Sequence, residues 1–383
     1  MHASKKQILF ISSWYPTRLD TYRGDFVQRH AMAVASRHFV TVIHAIGDPN
    51  ISQTEVVENF PVQNMRELIL YFPKSRYRWV NAWRKFMGYI KLNKKVENAD
   101  LIHAHVIYTD LFWVLWQRVR GGLPYVVTEH STRYYNKLSW FQKYFAKIFA
   151  HKSEYILPVS TRLQTAMESH GIMGVYRIIP NVVDTENFKP KSQPEQKSLF
   201  RFLHISMLND AHKNISGQLE AVKKLKELGY EFEYHIGGNG DLQPIIEYVS
   251  KHQLGDCVKI FGALTHEEVS VKMREADAFI LFSNRENQPC VIIESFASGT
   301  PVIATDVGGV SEFFPEGFGA LVPKGDVNAL VDEMIKMMND STLNSPAEMH
   351  AYAEKKFSVN SIAQQLDEVY DQVLAVRNTK NKL

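Results

Sequence analysis

Between Arg285 and Gly309 the chain reads RENQPCVIIESFASGTPVIATDVGG, which sets Glu286 and Glu294 eight positions apart with Pro289 and an apolar run between them. A carboxylate accepts hydrogen bonds through two oxygens, and the adjacent hydroxyls of a ribose or hexose are the matching donors. The upstream run AFILFS (278–283) reads as a buried strand, so Glu286 falls in the loop at its carboxyl end. Pro289 suits the first turn of a helix, where its missing N–H is not needed. That helix is predicted to run from Cys290 to about Ala297 and to stop at Ser298-Gly299. At 100° per residue Ile292, Ile293, Phe296 and Ala297 share one face, and Glu294 lies at its border beside Cys290, toward the mouth of a crevice. The N–H groups of Cys290 and Val291, with the positive end of the helix dipole, suit a diphosphate. One glutamate before the helix and one inside it would then grip the two polyhydroxylated ends of a sugar nucleotide. From spacing alone the pair also reads as a solvated loop charge and an exposed helix residue. The strand, loop, proline and helix context weighs against that, as does Gly308-Gly309, which opens a loop where backbone can approach a ligand closely.

Such a site needs a parallel sheet to hold it. Short β-branched and aromatic runs recur at 8–12, 40–45, 68–72, 101–105, 125–130 and 155–160, each followed by a longer stretch with helical periodicity. The pattern breaks at 181–201, where Pro190, Pro194 and charged residues read as a linker, and restarts at 200–206, 232–238, 258–262, 278–283, 301–305 and 319–323. Alternating strand and helix implies α/β architecture with two doubly wound parallel sheets. The expected domains are 1–190 and 191–357, with 358–383 a helix whose Ile362, Leu366, Val369, Tyr370 and Val373 share a face that must pack on something. Ligands of doubly wound sheets sit beyond the carboxyl ends of the strands, so two domains facing across a cleft would supply two half-sites.

The bulk numbers agree with two domains. A chain of 383 residues is too long for one ordinary core. No stretch is apolar for the eighteen residues a membrane span needs, the N-terminus reads as a first strand, and Cys257 and Cys290 cannot make a disulfide framework. A reducing cytoplasm is the expected setting. The net charge of +3 conceals an asymmetry: residues 1–190 hold 25 Lys and Arg against 14 Asp and Glu, leaving 19 against 27 for the rest. The basic front half suits an anionic partner surface, and the acidic back half argues against a nucleic-acid partner.

The stretch 285–309 resembles the E-x7-E signature of the retaining glycosyltransferases of the GT-B fold (glycosyltransferase family 4, glycosyl transferases group 1), with its trailing G-x-PV-x-A-T-x-x-GG. VSTRLQTAMESHG followed by IIPNVVDTENF, the Lys-Asn of NDAHKN, GGNGDL and SWYPTRLDTYRGDFVQRHA extend the resemblance over nearly the whole chain. It implies a hexosyltransferase using a nucleotide-diphosphate sugar such as a UDP-sugar or GDP-mannose bound by the C-terminal domain, a glycan or lipid-linked acceptor bound by the N-terminal domain, a C-terminal helix (358–383) that packs back toward the N-terminal domain, a role in cell-surface polysaccharide biosynthesis, and no cofactor or metal. Residue by residue, it assigns Glu286 to the transferred sugar, Glu294 to the ribose, and Asn287, Gln288, Pro289, Cys290 and Val291 to the sugar and diphosphate. Lys213 would neutralise the diphosphate, Gly24 would let the N-terminal loop close on the phosphate, Leu264 would lie near the base, and His130 near the reacting carbon. Three positions depart from the family pattern: Met207 stands where an arginine is frequent, Gln288 where Phe is common, and Val182 where NG-x-D has glycine. A sugar-nucleotide epimerase on the same fold and a nucleotide-sugar-binding protein without turnover are the alternatives.

His103 and His105 alternate on one strand and read as a packed or hydrogen-bonded pair rather than as metal ligands. GGNGDL lacks the third glycine of a dinucleotide fingerprint. Residues 72–96 carry eight Lys and Arg and no acid, with Trp79, Trp83, Phe86 and Ile90 at helical spacing. They read as a core-facing helix with a basic outer face, the alternative being an interfacial helix in peripheral contact with an anionic membrane.

Overall fold

The computed structural model describes residues 5–106, 111–191, 199–339 and 343–380, and the chain divides into two compact units, Met1–Val182 with Val359–Leu383, and Val183–Ser358. In the first unit the strands are β1 (Gln7–Ser12), β2 (Phe39–Asp48), β3 (Glu55–Asn59), β4 (Met65–Pro73), β5 (Leu101–His105), β6 (Tyr125–Glu129) and β7 (Tyr155–Pro158), ordered β3-β4-β2-β1-β5-β6-β7. All pair in parallel except the edge strand β3, which lies antiparallel to β4. The order reverses at β1, which pairs with β2 on one side and β5 on the other. β3 was not legible in advance because EVVEN is short, charged and half exposed.

Its helices are α1 (Asp25–Ala35), α2 (Arg78–Asn93), α3 (Leu111–Gly121), α4 (Trp140–Lys152) and α5 (Thr161–Ser169). Because a strand points alternate side chains to opposite faces, β1 divides between two cores. Leu9 and Ile11 pack with Tyr89 and Leu92 of α2, Trp113 of α3, Phe149 of α4 and Leu163 of α5, whereas Ile8 and Phe10 pack with Val27 and Val34 of α1. Both faces being covered, all five residues of β5 and of β6 are buried, which is why those strands read as unbroken runs.

The second unit contains β8 (Phe200–Met207), β9 (Phe232–Asn239), β10 (Val258–Phe261), β11 (Ala278–Leu281), β12 (Val302–Thr305) and β13 (Gly319–Val322), all parallel in the order β10-β9-β8-β11-β12-β13. Around them run α6 (Asp210–Lys213), α7 (Ile215–Glu227), α8 (Gln243–Lys251), α9 (His266–Glu275), α10 (Cys290–Ala297), α11 (Val327–Asn339) and α12 (Pro346–Phe357). Phe202 and Ile280 pack toward α7 and α11, and Leu203, Phe279 and Leu281 toward α10 and α12.

The last helix, α13 (Val359–Lys380), belongs to the first unit, where Ile362, Leu366, Val369, Tyr370 and Val373 are buried in the core shared with α1. The break between units falls between Val182 and Val183, ahead of the expected 190. Val183 already donates its N–H to the Phe357 carbonyl, 2.9 Å, and Phe188 is wholly buried in the second core, so 183–191 is packed chain despite its linker-like composition. Residues 192–198 of the expected linker lie outside the described residues. Among the described residues no helix is long and apolar enough to cross a membrane.

α2 corrects one expectation. Its buried residues are Gly88, Tyr89 and Leu92, and a Cβ on Gly88 would stand 3.1 Å from Leu70, so the second half of the helix lies close on the sheet. Phe86 and Ile90 pack against the core from its edge. Trp79 and Trp83, expected to face inward with them, are 73% and 61% exposed because the first two turns lie away from that packed half.

Candidate active site

In the second unit β8 pairs with β9 on one side and β11 on the other, so the chain's order reverses there and the two loops leaving β8 and β11 diverge. Lys213 follows the first of these strands and Glu286 the second. The structure joins them: Lys213 Nζ donates to Glu286 Oε1 at 2.5 Å, with side chains 19% and 10% exposed. Such a distance marks a charge-assisted bond, stronger than one between neutral groups. Sequence reasoning assigned both residues to a ligand and missed that they meet each other.

Both loops are held from several directions. Asn209 caps α6 by accepting from the His212 N–H, and Asn214, with φ of 48°, turns the chain into α7. The Lys213 carbonyl accepts from Gln218 Nε2 at 2.9 Å, and Gln218 is tied to β9 by the Tyr234 hydroxyl at 2.8 Å. The loop after β11 is bound to that turn by the Asn284 N–H, which donates to the His212 carbonyl at 2.7 Å. On its other side the Gly309 N–H donates to the Asn287 carbonyl at 3.0 Å. Gly308 has φ of 57°, and a Cβ there would overlap the Glu286 carbonyl oxygen. The approach expected at Gly308-Gly309 is therefore made to the glutamate loop itself. Asn284 was not singled out from the sequence, where nothing marks it beyond a polar residue after a buried run.

Pro289 takes the N-cap of α10 rather than its first turn, with φ of −70° and ψ of 122°, and the helix spans Cys290–Ala297. Glu294 is 2% exposed, deeper than the border position its helical spacing gave it. Glu286, Asn287 and Gln288 are also buried, and Cys290 and Val291 half-buried. This excludes a pair of solvated surface charges. Leu264 lies after β10 and packs on the edge of the second core. Met207, at the carboxyl end of β8, is 58% exposed. Cys257 and Cys290 are both free thiols.

Gly24 and His130 belong to the first unit. Gly24 has φ of 77° and precedes α1, and a Cβ on it would overlap the Trp14 carbonyl, so only glycine lets the loop after β1 double back there. His130 immediately follows β6, within a set of buried histidines. Its Nε2 lies 3.3 Å from His105 Nδ1, its ring stands 4.3 Å from Phe26, and His30 lies 5.5 Å away. Burial first, and then the neighbouring imidazoles, hold His130 and His105 well below the usual histidine pKa, and burial first, then the nearby Arg29 charge, brings His30 to about 4. His103 makes hydrogen bonds to the Tyr370 hydroxyl of α13 and to Thr128 Oγ1, both 2.6 Å. Both of its ring nitrogens are thus engaged, as expected of a hydrogen-bonded histidine. His30 was overlooked; its signal was a histidine one turn after Phe26 on the apolar face of α1.

A family model described as "Glycosyl transferases group 1" matches residues 185–356, and one described as "Glycosyltransferase Family 4" matches residues 25–187. An amylovoran biosynthesis glycosyltransferase of Erwinia amylovora is 28% identical over 243 residues, 61% of this chain and 59% of that protein. One component of the human phosphatidylinositol N-acetylglucosaminyltransferase is 25% identical over 285 residues, 72% of this chain and 58% of that protein. The chain thus spans about three fifths of the length of these curated relatives. Among solved structures, a sucrose-phosphate synthase from Thermosynechococcus elongatus superposes with a TM-score of 0.81 at 21% identity, covering 97% of this chain and 100% of that one, a likeness of fold.

Proposed function

Since the chain belongs to the glycosyltransferases of group 1 and family 4, built on the GT-B fold, we propose that it moves a hexose from a nucleotide-diphosphate sugar to a glycan or lipid-linked acceptor, with retention of configuration. The second unit takes the donor and the first the acceptor. One observation carries the reading: Lys213 and Glu286 meet at 2.5 Å beyond the carboxyl ends of β8 and β11, where the order of the sheet reverses. In a resting site the carboxylate holds the ammonium in place. When donor binds, the ammonium turns to the diphosphate and the carboxylate accepts from hydroxyls of the sugar, so a charge already positioned meets the charge that develops on departure. The amino end of α10 adds its dipole to the same phosphate, and Glu294 receives the ribose hydroxyls. Lysine and helix together meet the leaving charge without requiring a metal ion.

In the reaction the bond from the anomeric carbon to the diphosphate oxygen breaks, and the acceptor oxygen bonds to that carbon on the same face. The acceptor's proton passes to the departing phosphate, giving a glycoside and a nucleoside diphosphate. His130 contributes a neutral imidazole, since burial keeps it unprotonated, and therefore adds no charge to the acceptor side. The amylovoran biosynthesis relative supports a glycan acceptor and a role in polysaccharide biosynthesis, and the phosphatidylinositol relative supports a lipid-linked acceptor.

The test is calorimetric titration with UDP, GDP and ADP, followed by acceptor-dependent release of the nucleotide that binds. Glu294→Ala should weaken the nucleotide by about 1.5–3 kcal/mol, the range for hydrogen bonds to a charged group. Unchanged affinity removes the ribose role. Donor consumption without acceptor and without nucleotide release would mean an epimerase.

A further inference from the structure

Two helices of the first unit carry large apolar side chains that the core does not use. On and just before α2, Trp79 and Trp83 are 73% and 61% exposed, with Tyr77 and Met87 also exposed. On α4, Trp140 is 78% exposed, and Phe141 and Tyr144 stand beside it at 50% and 57%. In each helix the buried residues lie further along: Gly88, Tyr89 and Leu92 in α2, and Ala146, Phe149 and Ala150 in α4. The aromatic residues are therefore concentrated in the first turns. Both helices pack on the same face of the sheet, and each follows a strand of the same direction, β4 and β6, so both begin at the carboxyl edge. Those strands are four spacings apart, about 19 Å. Phe86 of α2 meets Trp116 of α3, which lies between the two helices in the chain.

Charge accompanies the aromatics. Residues 72–96 hold eight Lys and Arg with no Asp or Glu, and residues 131–153, which include α4, again hold no acid while carrying Arg133, Lys137, Lys143, Lys147 and Lys152. Lys74, Arg76, Arg78 and Lys147 are exposed. Tryptophan and tyrosine gather where hydrocarbon meets headgroups, and lysine and arginine there face anionic lipid. Protein–protein interfaces are depleted in lysine, whereas Lys74 and Lys147 are exposed on this face. We propose that the amino-terminal turns of α2 and α4 form one docking face for an anionic phospholipid surface. The tryptophans and Phe141 enter the headgroup region, and the basic residues meet the lipid phosphates. A face at the carboxyl edge of the first unit's sheet brings to the lipid the same edge where Gly24 and His130 lie. The proposal does not depend on the donor reading, because the residues assigned to the diphosphate and sugar lie in the second unit.

The experiment uses the full chain and sucrose-loaded vesicles of phosphatidylcholine alone or with 30% phosphatidylglycerol. The protein should sediment with the anionic vesicles and leave the neutral ones largely unbound, and 0.5 M NaCl should weaken binding at least tenfold relative to 0.1 M. Tryptophan emission should shift to the blue on the anionic vesicles. Each basic residue at such a surface is worth about fivefold, so Lys74→Gln/Arg76→Gln/Arg78→Gln should lower the partition coefficient by at least about tenfold. Trp79→Ser/Trp83→Ser and Trp140→Ser should each lower it as well and together abolish the blue shift. All these positions are exposed, and unchanged nucleoside-diphosphate affinity with an unchanged circular dichroism spectrum shows that the variants are folded. No sedimentation with either vesicle, or equal sedimentation with both, overturns the proposal. A dimer in lipid-free solution that the tryptophan substitutions dissolve assigns the face to a second copy instead. Displacement from vesicles by a single-stranded oligonucleotide whose binding needs the same tryptophans assigns it to nucleic acid.

Discussion

Replacing Lys213 by methionine separates what the Lys213–Glu286 pair does for the fold from what it does for a ligand. Methionine keeps an unbranched stem and removes the charge. An exposed ion pair contributes about 0–1 kcal/mol, whereas removing one partner of a buried pair costs about 3–5 kcal/mol because the other charge stays desolvated. With side chains 19% and 10% exposed, this pair lies nearer the buried case, and a loss of about 2–3 kcal/mol is expected. For a unit of this size that lowers its melting midpoint by roughly 5–10 °C. Lys213→Met/Glu286→Gln removes both charges and should recover most of the stability. Affinity behaves differently: a lysine that meets the diphosphate is missing from both variants, so nucleoside-diphosphate binding should fall about tenfold to a hundredfold in each. Differential scanning calorimetry and isothermal titration read the two quantities on the same samples. If Lys213→Met melts and binds like the wild type, the pair is surface ornament and the site lies elsewhere. If the double variant regains affinity, the lysine only holds the glutamate.

Acid should loosen the first unit before the second. His30, His103, His105 and His130 are buried there with pKa values pushed down, His30 to about 4, whereas an unfolded histidine titrates near 6.5. The unfolded chain therefore takes up protons first, and stability falls as pH drops below about 6.5, on the order of 1 kcal/mol from His30 alone at pH 5.5, with His103, His105 and His130 acting in the same direction. In the second unit His204, also at about 4, is the buried counterpart. All six tryptophans lie in the first unit, so the midpoint of tryptophan fluorescence in urea should fall sharply between pH 7.5 and 5.5 while nucleotide binding persists; an unmoved midpoint refutes this. Gly308→Ala puts a methyl group where the Glu286 carbonyl oxygen stands, at a φ of 57°. It should cost about 1–3 kcal/mol and weaken donor binding by displacing the glutamate loop, and thermal melting with titration checks both; an alanine variant that melts and binds like the wild type shows that the loop yields.

Much of the site was legible because its local signals agree. A buried run, a polar loop, Pro289, an apolar helix and Ser298-Gly299 give α10 its bounds, since each rests on residues close in sequence. Lys213 and Glu286 are 73 residues apart, so nothing local says that they touch. Trp79 and Trp83 mislead for a related reason. Helical spacing fixes which side chains share a face, but whether that face meets the sheet depends on where the helix lies over it.

The order of types along the chain determined the two parallel sheets and the helix that carries Glu294, because backbone hydrogen bonding and side-chain periodicity act over a few residues. Which strand neighbours which, how deeply Glu294 sinks, and that Phe188 is claimed by the second core were decided by tertiary structure alone. Those outcomes depend on which apolar surfaces find each other across hundreds of residues, and burial is a property of the assembled chain rather than of any segment in it.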